Sequence, residues 1–153
     1  MELVLNNMTA LEQALAALNA ALRDKYHSMA QYVLEAGPYV RPGQEAVLGE
    51  LRTMADADRA LADRLAEAME RLEGIPQPGT PDPEVANLNY LSLNYLLGYL
   101  KDSVEKQLSR YENDLPLLRD FPAAGEVFDR LLAATRAQAA RLRDMSDPKS
   151  SAQ

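Results

Sequence analysis

Two charged side chains, Lys25 and Asp58, stand in registers that otherwise hold apolar residues. Between residues 45 and 76 the apolar residues recur at alternating steps of three and four, the pattern of a long packed helix, and this series passes through Asp58. The corresponding series between residues 11 and 33 passes through Lys25. An isolated ionised group is costly in apolar surroundings, so each charge needs a partner. The chemistry open to these residues is an internal ion pair or, for the lysine, catalysis by an amine of lowered pKa.

The amino-acid composition excludes several other kinds of functional site. The chain has no cysteine, which excludes disulfides, thiolate nucleophiles and thiolate metal sites, and it has one histidine, His27, for which a surface or subunit-contact role is expected. The formal net charge of −7 argues against nonspecific binding to nucleic acid or anionic lipid. The longest apolar run, residues 88–100, is too short and too polar to span a membrane. No export signal is recognisable at residue 1, so we expect a cytoplasmic protein.

Four helices are expected to position these residues in a single domain, 1–153, and they cover about residues 9–36, 44–73, 83–115 and 122–146. Thr9 opens the first helix with a capping box, and Gly37 and Gly74 end the first two. Asp147-Pro148 stops the fourth helix. The first and last connections are short, which predicts antiparallel neighbours in each pair of helices.

The second connection is different, because residues 74–84 contain four prolines and two glycines in eleven positions. This composition allows a flexible linker, but an extended proline-rich segment of this length covers roughly 35 Å. A helix of about 24 residues has a similar length. The segment can therefore cross the whole bundle, with Asp82-Pro83-Glu84 capping a third helix that starts where the second one started. The fold class is an all-α four-helix bundle of two antiparallel helical hairpins joined by a long Pro-rich crossover, the connection of ferritin-like folds.

Short motifs support a family resemblance. They lie in the first two helices and are Leu18-Asn19, Gln31-Tyr32, Ala62-Asp63-Arg64 and Leu72-Glu73-Gly74-Ile75-Pro76. With these motifs the chain resembles the ferritin-like superfamily, and bacterioferritins in particular. In the third and fourth helices the resemblance rests on spacing. Such proteins carry a di-iron centre between their helices, held by one glutamate from each of two helices and a Glu-x-x-His motif from each of the other two.

The resemblance assigns positions in this chain to that centre. Lys25 stands where the first-helix glutamate belongs, and Arg59 stands at the position of the methionine that carries haem in bacterioferritins. Tyr32 matches a tyrosine often found near the metals. The remaining ligand positions fall on Asp58 and Leu61 in the second helix, Lys101 or Asp102 in the third, and Thr135 and Gln138 in the fourth.

These residue types depart from the family at nearly every ligand. Lysine cannot share a site with two ferrous ions, and leucine cannot ligate a metal. We therefore predict no catalytic, cofactor-binding or metal-binding residue and no cofactor. The sequence leaves enzymatic activity open, although the missing ligands argue against it. The expected function is that of a ferritin-like bundle protein without a competent ferroxidase centre, in a structural or interaction role. The alternatives are iron or other metal binding or storage of the ferritin type through a non-standard site, and binding of a small apolar ligand between the helices.

The resemblance also places Lys25 across from Asp58. We predict that the two form a buried ion pair in the space of the metal, with Lys101 or Asp102 as a candidate third member. The alternative is that Lys25 extends to the flank of the bundle while Asp58 faces water. A catalytic role for Lys25 is disfavoured, because the sequence shows no partnering residue or phosphate-binding loop.

The predicted partner is a second copy of the chain. Tyr26, Met29 and Ala30 widen the apolar surface of the first helix, which indicates a homodimer or small homo-oligomer. A closed cage is not expected, because cages of this family use a short fifth helix and about eight residues follow Met145. The sequence identifies no other protein partner.

Overall fold

The computed structural model describes residues 8–81, 88 and 91–146, and it confirms the all-α four-helix bundle. Within these residues there is no β-strand, only an isolated bridge between Tyr39 and Ser92. The elements are α1 (Ala10–Tyr26), α2 (Met29–Glu35), α3 (Glu45–Arg71), α4 (Leu93–Asp114), a 3-10 turn (Leu115–Leu118) and α5 (Pro122–Ser146). The helices α1 and α2 together form the first rod of the bundle.

The first rod is broken where the sequence predicts a continuous helix over residues 9–36. His27 leaves the helical region with φ −98° and ψ 59°, and its backbone N–H caps α1 by donating to the carbonyl of Arg23. Ser28 then starts α2, because its hydroxyl accepts a hydrogen bond from the backbone N–H of Gln31 at 3.4 Å. Serine competes for local backbone groups in this way and favours the N-cap position. The break turns the Ser28 side chain toward the bundle interior.

The proline-rich crossover runs along α1. At its start Gly74 approaches Leu15 so closely that a Cβ atom there would lie 2.5 Å from the leucine side chain. Further along, the backbone N–H of Gln77 donates to Asn19 Oδ1 at 2.8 Å, and Asn19 Nδ2 donates to the Gln77 carbonyl at 3.1 Å. The crossover then reaches His27, at the far end of α1. The described part of the crossover therefore follows α1 from Leu15 to His27, in the direction that the prediction requires.

The second hairpin starts beside the start of α3, also as predicted. Gln44 Nε2, just before α3, donates to Asn94 Oδ1 at 2.9 Å. The helix α4 itself starts at Leu93, later than the predicted residue 83, with Ser92 as its N-cap. The predicted cap Asp82-Pro83-Glu84 lies outside the described residues.

The core consists of two apolar clusters. One cluster joins the first part of α1 to the second half of α3, the end of α4 and the first half of α5; it includes Leu18, Leu65, Tyr111 and Phe128. The other joins α2 to the first halves of α3 and α4 and the last part of α5; it includes Val33, Leu51, Leu97 and Leu142. Between them lies a set of five polar side chains, here called the polar layer: Lys25, Ser28, Asp58, Gln107 and Gln138. Every rod of the bundle contributes to this layer.

Candidate functional site

The centre of the polar layer is an ion pair between Lys25 and Asp58. Lys25 Nζ lies 3.6 Å from Asp58 Oδ1, and the two side chains are 1% and 8% exposed. Lys25 does not extend to the flank of the bundle, and Asp58 does not face water. The predicted contact between these two residues is therefore present in the structure.

The Asp58 carboxylate is held by two further donors. The Ser28 hydroxyl donates to Oδ2 at 2.7 Å, and Gln138 Nε2 donates to Oδ1 at 2.9 Å. Both contacts are buried, and hydrogen bonds to a charged group in such surroundings are about twice as strong as neutral ones. The break between α1 and α2 supplies the first of these donors. Asp58, on α3, is thus fixed by groups from two other rods, the first rod and α5.

The Lys25 ammonium also has partners other than Asp58. Nζ donates to Gln107 Oε1 at 3.3 Å, and it lies 5.7 Å from the centroid of the Tyr111 ring. Burial lowers the pKa of Lys25, and the neighbouring Asp58 opposes that shift. A cavity of about 10 Å³ adjoins the ion pair, which is the lower limit for a single water molecule. The ammonium is therefore enclosed by protein groups.

A second polar group lies beside the layer and was not predicted. Asp24 Oδ2 accepts a hydrogen bond from the Tyr111 hydroxyl at 2.7 Å and forms an ion pair with Arg110. Tyr111 is fully buried, its ring meets Phe128 edge-on, and burial raises the pKa of its hydroxyl. The sequence contains a weak signal for this group, because Tyr111 stands in the apolar register of its helix. Its partner Asp24 gives no comparable signal.

The other residues assigned by the resemblance lie apart from the ion pair. Leu61 is buried in the first apolar cluster, and the Thr135 hydroxyl donates to the carbonyl of Leu131 at 2.7 Å. Lys101 is half-buried and Asp102 is exposed, and neither contacts the polar layer. The residue of α4 that contacts the ion pair is Gln107 instead.

A signal for Gln107 does exist in the sequence. The apolar series of α4 runs through Leu100 and Val104 to Tyr111, and steps of three and four along it pass through Gln107. Gln138 is the residue of the predicted fourth-helix set that the structure brings to Asp58.

An open cleft lies on the outside of the break between α1 and α2. Its volume is about 560 Å³, and its lining includes Lys25, His27, Ser28, Tyr32, Arg59 and Pro81. His27 Nε2 lies 3.0 Å from the carbonyl oxygens of both Pro78 and Gly79, so this nitrogen carries the donated hydrogen, and the Tyr32 hydroxyl donates to Nδ1 at 3.2 Å. Burial of the Tyr32 hydroxyl is the main cause that raises its pKa. His27 thus connects the crossover to the break, and the surface or subunit-contact role expected from the sequence stays a prediction.

Acidic and histidine side chains do not converge elsewhere in the described part of the chain. Within residues 8–81, 88 and 91–146, no three or more of them are arranged to hold a metal ion. None of the described helices is long and apolar enough to cross a membrane.

Comparison with known proteins rests on structure. No family model matches the chain, and no curated protein matches it. Among solved structures, the chain is similar to the bacterioferritin-related protein from Bacteroides fragilis, described as a dodecameric thioferritin, with a TM-score of 0.70 and 23% sequence identity. The match covers 88% of this chain and 84% of that one. The chain has a ferritin-like fold. The fold implied by the sequence resemblance is thereby confirmed.

The prediction of a homodimer or small homo-oligomer for this ferritin-like chain is wrong. The similar protein is described as a dodecamer, an assembly larger than the predicted one. The prediction considered one apolar surface, on the first helix, and a single self-complementary patch can close only a dimer. The structure exposes large apolar side chains elsewhere as well: Tyr39 is 71% exposed, Tyr95 59% and Ile75 77%.

Proposed function

We propose that this chain is a ferritin-like subunit in which an ion pair takes the place of the ferroxidase centre. Its role is structural or one of interaction, within an oligomer larger than a dimer. The observation that carries the proposal is the position of Lys25 Nζ, which faces Asp58 and Gln107 in the polar layer between the two apolar clusters.

The groups of the polar layer do not fit two ferrous ions. A di-iron centre of this type is held by several carboxylates and imidazoles, which supply both donor atoms and negative charge. The layer contains one carboxylate, Asp58, whose charge is already balanced by Lys25. Two amides and one hydroxyl complete it, and the hydroxyl and one amide donate hydrogen bonds to Asp58 rather than facing a cation. An ammonium in their midst repels any metal cation that approaches.

The second candidate function is iron or other metal binding or storage of the ferritin type. It is favoured by the description of the similar protein as a bacterioferritin-related thioferritin. In this chain such a function requires oxygen ligands outside the polar layer or a rearrangement of Lys25.

Aerobic addition of ferrous iron to metal-free protein separates the two functions. Oxidation is followed by absorbance over time, and bound iron is counted per chain. An oxidation rate equal to that of buffer, with no iron retained, is the expected result. Fast oxidation with about two irons per chain, the stoichiometry of a di-iron centre, refutes the proposal. The matched variant Asp58→Asn then shows whether iron enters the polar layer, because only iron bound there is lost with the carboxylate.

The assembly is tested on the same preparation. Size-exclusion chromatography with light scattering gives the mass of the oligomer independently of its shape. We expect a mass well above that of a dimer, and a mass equal to a dimer or monomer at all concentrations contradicts this part of the proposal.

A further inference from the structure

We propose that the polar layer is a binding site for one monovalent cation, and that the Lys25 ammonium occupies it as a cation carried by the chain itself. The inference rests on the proposed function, because it concerns the same layer. It adds the class of ligand that the layer recognises, namely a primary ammonium ion.

The surroundings of Lys25 Nζ attract a cation from three directions. The Asp58 carboxylate lies 3.6 Å away, the Gln107 amide oxygen 3.3 Å away, and the face of the Tyr111 ring has its centroid at 5.7 Å. A carboxylate oxygen, an amide oxygen and the negative face of an aromatic ring are groups that bind ammonium ions. The Ser28 hydroxyl and the Gln138 amide donate to the carboxylate and fix it in place for this contact.

The charge of the layer selects a monovalent ion. Asp58 is its only carboxylate, and the adjacent Asp24 is already paired with Arg110 and hydrogen-bonded by Tyr111. One positive charge therefore makes the layer neutral. A divalent ion leaves an uncompensated charge between two apolar clusters, which is costly, and Ca²⁺ and Mg²⁺ require six or more oxygen ligands. The layer offers far fewer.

The site becomes available to a free cation when the lysine side chain is shortened. The substitution Lys25→Ala removes Cγ, Cδ, Cε and Nζ, which together have the size of n-propylammonium. The space that remains keeps the Asp58 and Gln107 oxygens and the Tyr111 ring as its lining. The small cavity beside the ion pair adds to the space left by the lysine side chain.

The first experiment measures thermal unfolding of Lys25→Ala in increasing n-propylammonium chloride, with sodium chloride holding the ionic strength constant. A ligand that binds the folded state raises the melting temperature with its concentration, according to the ratio of concentration to Kd. We expect such a rise for Lys25→Ala, and none for the natural chain or for Lys25→Ala combined with Asp58→Asn. An absent rise, or an equal rise in the double variant, overturns the inference.

The second experiment keeps the inference testable if Lys25→Ala does not fold. The chain has no cysteine, so Lys25→Cys carries a unique thiol. In denaturant the thiolate displaces bromide from 2-bromoethylamine or from 2-bromoethanol, and the product is refolded. The two side chains have nearly the same size and differ in charge. The aminoethyl product is expected to recover the melting temperature of the natural chain and the hydroxyethyl product to fall well below it; equal melting temperatures overturn the inference.

The outcomes for the cation site and for the proposed function remain distinguishable. Iron bound and oxidised by the natural chain refutes the proposed function, whatever the variants do. Failure of both ammonium experiments, while the natural chain still leaves ferrous iron untouched, refutes only the cation site.

Discussion

Substitution of Lys25 by methionine tests the central ion pair directly. Methionine approximates the volume of lysine but leaves Asp58 buried without its counter-charge, since the ammonium at 3.6 Å is lost. Removing one partner of a buried pair costs about 3–5 kcal/mol. For a chain of this size each kcal/mol corresponds to about 2–4 °C, so the melting temperature of Lys25→Met falls by about 6–20 °C.

Removing the second charge recovers part of this loss. Replacing both partners of a buried pair by apolar residues is often neutral. Here, however, Lys25→Met with Asp58→Leu leaves the Ser28 hydroxyl and the Gln138 amide without their acceptor, and each orphaned group costs about 1–3 kcal/mol. Adding Gln138→Met removes one of these groups. The expected order of melting temperatures is therefore single variant lowest, double variant higher, triple variant highest.

The assay is thermal unfolding followed by circular dichroism. Protein concentration is held equal for all variants, because the stability of an oligomer depends on it. The reasoning is refuted if Lys25→Met and the double variant melt at the same temperature.

Three further substitutions test neighbouring contacts. Ser28→Ala removes the cap of α2 and a donor to Asp58 and is expected to cost about 1–3 kcal/mol in urea unfolding, whereas Ser28→Thr retains most of it. Asn19→Ala removes both hydrogen bonds to Gln77 and so releases the crossover from α1. We expect faster proteolysis of the crossover and a global stability lowered by about 1–2 kcal/mol. Burial raises the pKa of Tyr111 above its ordinary value of 10.0, so above pH 10 the folded chain keeps a proton that the unfolded chain loses. The stability of the folded chain therefore falls above pH 10. We expect Tyr111→Phe to make the urea midpoint less dependent on pH between 9 and 11.

The architecture could be predicted because its determinants are local and repetitive. The apolar series through α3 continues for the whole helix, with Leu51, Leu65 and Met69 all buried. The proline-rich crossover could be assigned its path because its length is set by backbone geometry rather than by side-chain contacts. Its hydrogen bonds to Asn19 follow from that path.

The break in the first rod could not be predicted from the same signals. Helix periodicity continues on both sides of Ser28, and a serine inside a helix is not unusual. The hydrogen bond that favours the break goes to Asp58, thirty positions away in the sequence, so it exists only in the folded chain. The site shows the same limit. Lys25 and Asp58 could be recognised because charges interrupt an apolar series, whereas Gln107 is neutral and the family resemblance indicates Lys101 or Asp102 instead.

The position of the polar layer suggests a role in aligning the four rods. The apolar clusters on either side contain many leucines and alanines, which tolerate displacement along a helix because one packs much like another. A displaced rod would separate Lys25 from Asp58 and leave both charges unpaired between apolar groups, at a cost of about 3–5 kcal/mol. Our hypothesis is therefore that the pair contributes more to the uniqueness of the packing than to its stability. The triple variant tests this directly. It should melt below the natural chain only by the cost of the Ser28 hydroxyl left without its acceptor, about 1–3 kcal/mol, but with a broader transition and poorer dispersion of its NMR signals. Sharp, well-dispersed spectra would show that the leucine and alanine contacts alone define the register.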